Sequence, residues 1–129
     1  MNFDGTALVT TSGDDTVYGG FLLDNIYGGG GTDFLTLDYS GTWDGLSATS
    51  VRLYLHDDGY HAYERIHLSD GTSKDIRIND FEVFEVRGSA EDDYIRIGGS
   101  GDNTIYGGAG DDTLRGGSGA DILNGGDGN

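Results

Sequence analysis

At 129 residues the chain is one domain or less, and a formal charge of −16 makes it a poor partner for nucleic acid, which wants basic patches. Twenty-five glycines without one proline set it apart from Gly-rich disordered chains, which normally carry proline as well. Without cysteine there are no disulfides, zinc thiolates or thiol nucleophile, and no apolar run approaches the ~18 residues of a membrane span. A chain of this charge repels itself and should be compacted by divalent cations.

Met1-Asn2-Phe3-Asp4 shows no signal-peptide pattern and is expected to lead straight into the fold. Residues 10–36 then carry a nine-residue unit in weathered form, with glycine at positions 1, 2 and 4, Asp or Asn at 6 and an aliphatic residue at 8. The first copy, Thr10 to Tyr18, keeps Gly13, Asp15 and Val17. The second, Gly19 to Tyr27, keeps the glycine pair, Asp24 and Ile26, but Leu22 stands where the third glycine belongs. Phe21, Leu22 and Leu23 crowd that loop, which reads as apolar capping. The third, Gly28 to Thr36, is a full match. Leu8, Val17, Ile26 and Leu35 therefore stand nine apart in one aliphatic column.

Residues 37–87 break the period: only four of the 25 glycines lie here, but five of the seven basic residues and all three histidines do. Val51, Leu53 and Leu55 face one way and Arg52, Tyr54 and His56 the other, which predicts a strand. Asp57-Asp58-Gly59 is a turn signal, and Tyr60 to Leu68 follows as a second strand. Ser69-Asp70-Gly71-Thr72 is another turn, and Lys74 to Ile78 and Phe81 to Val86 are further strands. At 51 residues the stretch is too small to hold its own core comfortably. It is expected as a strand-rich excursion on the same solenoid, with wider coils, inside a single domain spanning 1–129.

Residues 88–129 resume the unit. Gly88 to Arg96 has Glu91 at the position-4 glycine, and Ile97 is one extra residue before Gly98. From Gly98 the unit repeats without a gap as GGSGDNTIY, GGAGDDTLR and GGSGADILN, then breaks off in mid-unit as GGDGN. The break is expected of a fragment of a longer repeat protein.

Positions 7 to 9 supply one short strand with a single inward residue, and positions 1 to 6 must turn the chain back. Three glycines in four residues permit that turn and leave carbonyls facing inward beside the position-6 carboxylate. Such an all-oxygen set suits Ca²⁺, which takes 6–8 oxygens. One loop offers too few ligands, so a site needs two loops stacked. The alternative is a disordered linker, but a linker has no reason to keep an aliphatic column at spacing nine.

The unit resembles the calcium-binding nonapeptide of the RTX proteins. That resemblance implies an all-β fold, a right-handed parallel β-roll or β-solenoid, with two loops per coil and loop n stacked on loop n+2. Its flanks around the excursion, Leu37-Asp38-Tyr39-Ser40 and Phe81-Glu82-Val83-Phe84-Glu85, resemble the spacer of large bacterial RTX proteins. Loop 10–15 is expected on 28–33, 88–93 on 107–112, 98–103 on 116–121, and 107–112 on the incomplete 125–129. Candidate calcium ligands are Asp15, Asp24, Asp33, Asp93, Asn103, Asp112 and Asp121, joined by backbone at Gly98, Ser100, Gly107, Ala109, Gly116 and Ser118. About four ions or more are expected. Asn103 is neutral and should make a weaker site. The position-5 residues Asp14, Asp92, Asp102 and Asp111 are expected to point outward as a solvated acidic face.

A second candidate site is the outward face of the excursion, Arg52, Tyr54 and His56, then Tyr63, Arg65 and His67. Aromatic and cationic side chains at strand spacing suit a glycan or acidic polysaccharide, against an ordinary exposed sheet with cross-strand pairs. No HExxH or nucleophile motif accompanies the histidines, so no catalytic residue is assigned. Three functions follow: a calcium-dependent scaffold, a glycan-targeting module, and, least supported, an enzyme. RTX resemblance implies a bacterial protein exported unfolded by type I secretion to the extracellular space or cell surface, where calcium folds it. Expected partners are calcium, neighbouring repeats of a parent chain and, in the second function, the polysaccharide.

Overall fold

The computed structural model describes residues 7–9, 12–19, 25–43, 45–55 and 61–128. Among them there is no helix, and thirteen strands form two sheets. One sheet runs β1 (Ala7–Val9), β3 (Asn25–Tyr27), β8 (Ser73–Asn79), β7 (His61–Leu68), β6 (Leu46–Leu55), β10 (Tyr94–Arg96), β12 (Thr113–Arg115), with the short β5 (Thr42–Trp43) added to β6. The other runs β2 (Thr16–Gly19), β4 (Phe34–Asp38), β9 (Val83–Arg87), β11 (Thr104–Ala109), β13 (Ile122–Asp127).

Successive repeat units place their strands in opposite sheets, and units two apart pair in parallel. The aliphatic column sets the register: Leu8 lies opposite Ile26, Val17 opposite Leu35, Ile95 opposite Leu114 and Ile105 opposite Leu123. Each triplet contributes one inward side chain, so a single sheet could bury almost nothing. Two sheets facing each other make one apolar cluster instead, in which Ile26, Leu35, Leu53, Ile78, Phe84 and Ile105 are fully buried. At the C-terminal edge the column loses its cover, and Leu123 on β13 is 48% exposed.

The excursion departs from the expected wider coils. Its strands β6, β7 and β8 form an antiparallel meander, inserted between β3 and β10 of the first sheet. β8 is parallel to β3 and β6 is parallel to β10. A meander of three strands enters and leaves at opposite ends, as one strand does, so the chain re-enters the repeat pattern with its direction unchanged. The strand alternation read from the sequence holds where the side chains are described: Val51 and Leu53 are fully buried and Arg52 is exposed. The turn between β7 and β8 closes as expected, with Gly71 at φ +86° and the Asp70 carboxylate accepting from the Thr72 N–H and hydroxyl. Those bonds stabilise the ionised form and hold the Asp70 pKa below its ordinary value.

The meander adds two strands to the first sheet, while the second passes from β4 to β9 in one step. The register also moves there. Leu35 lies opposite Phe84, whereas Ile105 lies opposite Val86, so the column slides by two residues across β9. A slide of two preserves which face each side chain occupies, where a slide of one would turn the core outward.

Candidate cation-binding loops

The glycine loops meet where the sequence pattern placed them. Gly31, with φ +120°, lies so close over the stacked loop that a Cβ there would stand 2.7 Å from the Gly13 carbonyl. Only glycine fits both the dihedral angle and the gap.

Two carboxylates close each of three stacked pairs reciprocally. Between the first loops, Asp14 Oδ1 accepts from Thr32 N–H at 2.8 Å and Asp33 Oδ1 accepts from Asp15 N–H at 2.9 Å. Asp92 accepts from Asp111 N–H at 2.8 Å, while Asp112 accepts from Asp93 N–H at 3.0 Å. In the third pair Asp102 accepts from Ala120 N–H at 2.8 Å and Asp121 accepts from Asn103 N–H at 2.9 Å. Position 5 reaches forward along the stack and position 6 reaches back. The position-5 aspartates are exposed, as expected of an outer acidic face, but Asp14, Asp92 and Asp102 also hold the next loop. The spacing is 18 residues in the first and third pairs and 19 in the second. Ile97 is the inserted residue; it is buried, and its N–H donates to Arg115 O.

The ladder extends through a residue the nine-residue period does not reveal. Asp33 N–H donates to Glu82 Oε2 at 2.8 Å, so Glu82 takes the position-6 part from within the excursion. It is reached by a turn in which Asp80 adopts φ +61°, a left-handed conformation that Asp tolerates better than most residues.

The sequence pattern of the RTX calcium-binding nonapeptide repeat matches residues 9–38 and 97–129, in four copies. The chain carries RTX calcium-binding nonapeptide repeats. No curated protein matches the chain.

What the RTX loops can hold follows from the second oxygen of each position-6 carboxylate, since the first is used by the ladder. Asp33 is fully buried, and its Oδ2 has no hydrogen-bond donor. Asp112 Oδ2 is buried and unpartnered in the same way. A buried anionic oxygen with no donor is strongly unfavourable, and a hard cation among carbonyl oxygens is its natural complement. A Cβ at Gly107 would run into the Asp112 carboxylate, so the position-1 glycine is what leaves room beside it. These loops fit Ca²⁺, which would supply the missing positive charge.

Two other loops differ. Asp93 is 3% exposed and its carboxylate is already occupied: Oδ1 accepts from Val51 N–H at 2.6 Å and the Ser89 hydroxyl at 2.8 Å, and Oδ2 from Ser89 N–H at 2.6 Å. Burial pushes its pKa up, with a smaller push from the Asp112 charge, against the pull of the Val51 and Ser89 bonds. Asn103, 1% exposed, turns Oδ1 to Phe84 N–H at 2.9 Å and Nδ2 to Gly101 O and Gly116 O, both at 2.9 Å.

Of the other expected residues, Asp24 lies outside the described residues. Asp15 and Asp121 stand in the ladders given above. Gly98 is buried and Ser100 exposed, while Ala109 runs on into β11 opposite Asp127. Ser118 Oγ donates to Gly99 O at 2.9 Å, a second stitch between loops. Among the described residues no three His, Cys, Asp or Glu side chains gather as a side-chain-only metal cluster.

On the outer face of the first sheet, Arg52, Arg65, Arg77 and Arg115 are exposed and Arg96 is half-buried, its guanidinium 4.9 Å from the Tyr54 ring centre. Register places Arg77, Tyr63, Tyr54, Arg96 and Arg115 in one cross-strand row, with Arg65, Arg52 and Tyr94 in the next. Arg65 is held by Asp75 at 2.8 Å and His67 Nδ1 lies 2.8 Å from Ser73 Oγ. His56 lies outside the described residues, as does the side chain of Tyr63.

Proposed function

We propose that the chain is a calcium-dependent structural module, a β-roll whose stacked RTX loops close on Ca²⁺ and which has no catalytic role of its own. The observation that carries this reading is the pair of buried, donor-free carboxylate oxygens of Asp33 and Asp112. In this reading Asp15, Asp33 and Asp112 are the carboxylate ligands, and loop carbonyls such as those of Gly107 and Ala109 complete the shells. Residues 1–129 act as one unit, with 10–36 and 88–129 as the repeat arms and 37–87 laid into the same stack. At −16 the unliganded chain resists compaction, and extracellular modules bind calcium at roughly 10⁻⁴–10⁻³ M. That affinity suits a bacterial protein exported unfolded and folded outside the cell. The exposed Leu123 on edge strand β13 supports a further coil of the same kind stacking beyond it.

The test is a calcium titration followed by circular dichroism, with magnesium as control. A cooperative gain of β signal with calcium and little with magnesium is expected. An equally folded chain in excess EGTA would refute the reading.

A second reading is favoured by one observation: five of the seven basic residues of an acidic chain share one outer sheet face, interleaved with tyrosines. We infer that this face binds an acidic polysaccharide through ion pairs and stacking. Retention on an immobilised polyuronate column, lost in the variant Arg52→Ala/Arg96→Ala/Arg115→Ala, is the expected result. Retention that survives the triple change reduces the face to scaffold.

A further inference from the structure

We propose that the loop pair 98–103/116–121 takes no calcium, because the Asn103 side-chain amide fills the place of the ion. The inference rests on the calcium reading of the other loops and goes beyond it by assigning one stacked pair a different chemistry.

Position 6 is the residue whose carboxylate serves both the ladder and the cation. In the 10–15/28–33 pair one oxygen of Asp33 meets a backbone N–H and the other faces buried space with no donor. Asn103 divides the same two tasks between an oxygen and a nitrogen. The orientation of its amide is fixed from outside the loop: Phe84 N–H needs an acceptor and finds Oδ1 at 2.9 Å. Nδ2 must then point the other way, toward the interior of the stack. There it meets Gly101 O of its own loop and Gly116 O of the stacked loop at 2.9 Å, and Asp121 Oδ1 at 3.1 Å.

Those acceptors are the kinds of oxygen that would otherwise hold a cation: a carbonyl from each loop and the position-6 carboxylate of the second. An NH₂ group supplies two positive hydrogens at one point, so the oxygens converge on it as they would on a metal. The amide is 1% exposed, and none of its polar atoms is left without a partner. A calcium ion placed here would have to displace Nδ2, separate it from three acceptors and leave its hydrogens buried and unsatisfied. Asn also removes the repulsion that a carboxylate at 103 would feel from Asp121, the repulsion a cation relieves elsewhere. Asn103 thereby joins β9, β11 and the loop leading into β13 with no cation between them.

The experiment compares the wild-type chain with Asn103→Asp by isothermal titration calorimetry and by elemental analysis of the calcium-loaded protein after desalting. The aspartate restores the pattern of the other loops, so N103D is expected to bind one ion more than wild type. Its melting temperature should rise more steeply with calcium concentration than that of wild type. An unchanged or smaller ion count overturns the proposal.

Should N103D fail to fold, the wild-type side chain itself can be read by NMR. In the calcium-saturated protein the Asn103 Nδ2 protons should be protected from solvent exchange, with the shifts of a doubly donating amide. Ready exchange of these protons in the folded protein overturns the proposal. The amide is read in whichever form is folded, and calcium-dependent folding is read separately by circular dichroism, so failure of the general calcium reading and failure of this assignment remain distinguishable.

Discussion

Replacing Asp33 by Asn tests the cation reading at its most buried carboxylate. The substitution keeps Oδ1 as acceptor for Asp15 N–H and changes only Oδ2, the oxygen without a donor. At calcium low enough to leave this site unfilled but sufficient to keep the chain folded, a buried, unsatisfied charged oxygen costs about 1–3 kcal/mol or more, and D33N removes that charge. The variant should then be more stable than wild type. With more calcium the sign reverses. For a site in the extracellular range of roughly 10⁻⁴–10⁻³ M, about 10 mM calcium is on the order of 10–100 times Kd. Ligand binding then stabilises by about 1.4–2.7 kcal/mol, which D33N forgoes. At roughly 4 °C per kcal/mol for a chain of this size, thermal melts across a calcium series resolve both ends. The two Tm curves should cross. A D33N offset of the same sign and size at every calcium concentration would refute the reasoning, since Oδ2 would then have no cation to lose.

Glu82→Ala leaves Asp33 N–H without its acceptor and should cost the calcium-loaded protein about 1.5–3 kcal/mol by chemical denaturation. Gly107→Ala drives a methyl group into the Asp112 carboxylate; a loss of about 1–3 kcal/mol, together with one fewer bound ion by calorimetry, is expected. Asp70→Ala probes the β7–β8 turn by pH. The folded carboxyl has the lower pKa, so its stabilisation is present above the unfolded value and lost as pH falls through the folded one. The melting difference between D70A and wild type should be largest near neutrality and close on acidification, and a difference independent of pH would exclude the carboxylate's bonds as its source.

The repeat arms were legible because their signals are local and recur. An aliphatic residue every ninth position fixes the column, and parallel pairing of alternate units follows from two loops per coil. Ile97 announced the spacing of 19 in the second loop pair by interrupting the nine-residue count. Less could be read where the partner lies far off in sequence. Alternation identified the strands of the excursion, but whether they coil or fold back depends on pairing between strands, which alternation does not encode. Glu82 stood inside the flank Phe81 to Glu85, yet its ladder bond spans 49 residues and uses a longer side chain than the motif. For Asn103 the sequence showed a lost charge; the gain of donors needed Phe84, from a strand outside the repeats. The serine that saturates Asp93 was visible only as a missing glycine, Ser89.

A stack of identical coils grows as a straight rod, because every turn lengthens both faces equally. Here seven main-path strands on one face stand against five on the other, a surplus of about 9–10 Å at the usual strand spacing, comparable with the distance between two packed sheets. The meander therefore gives one face more length to cover than the other, where the repeats alone would keep the two faces equal.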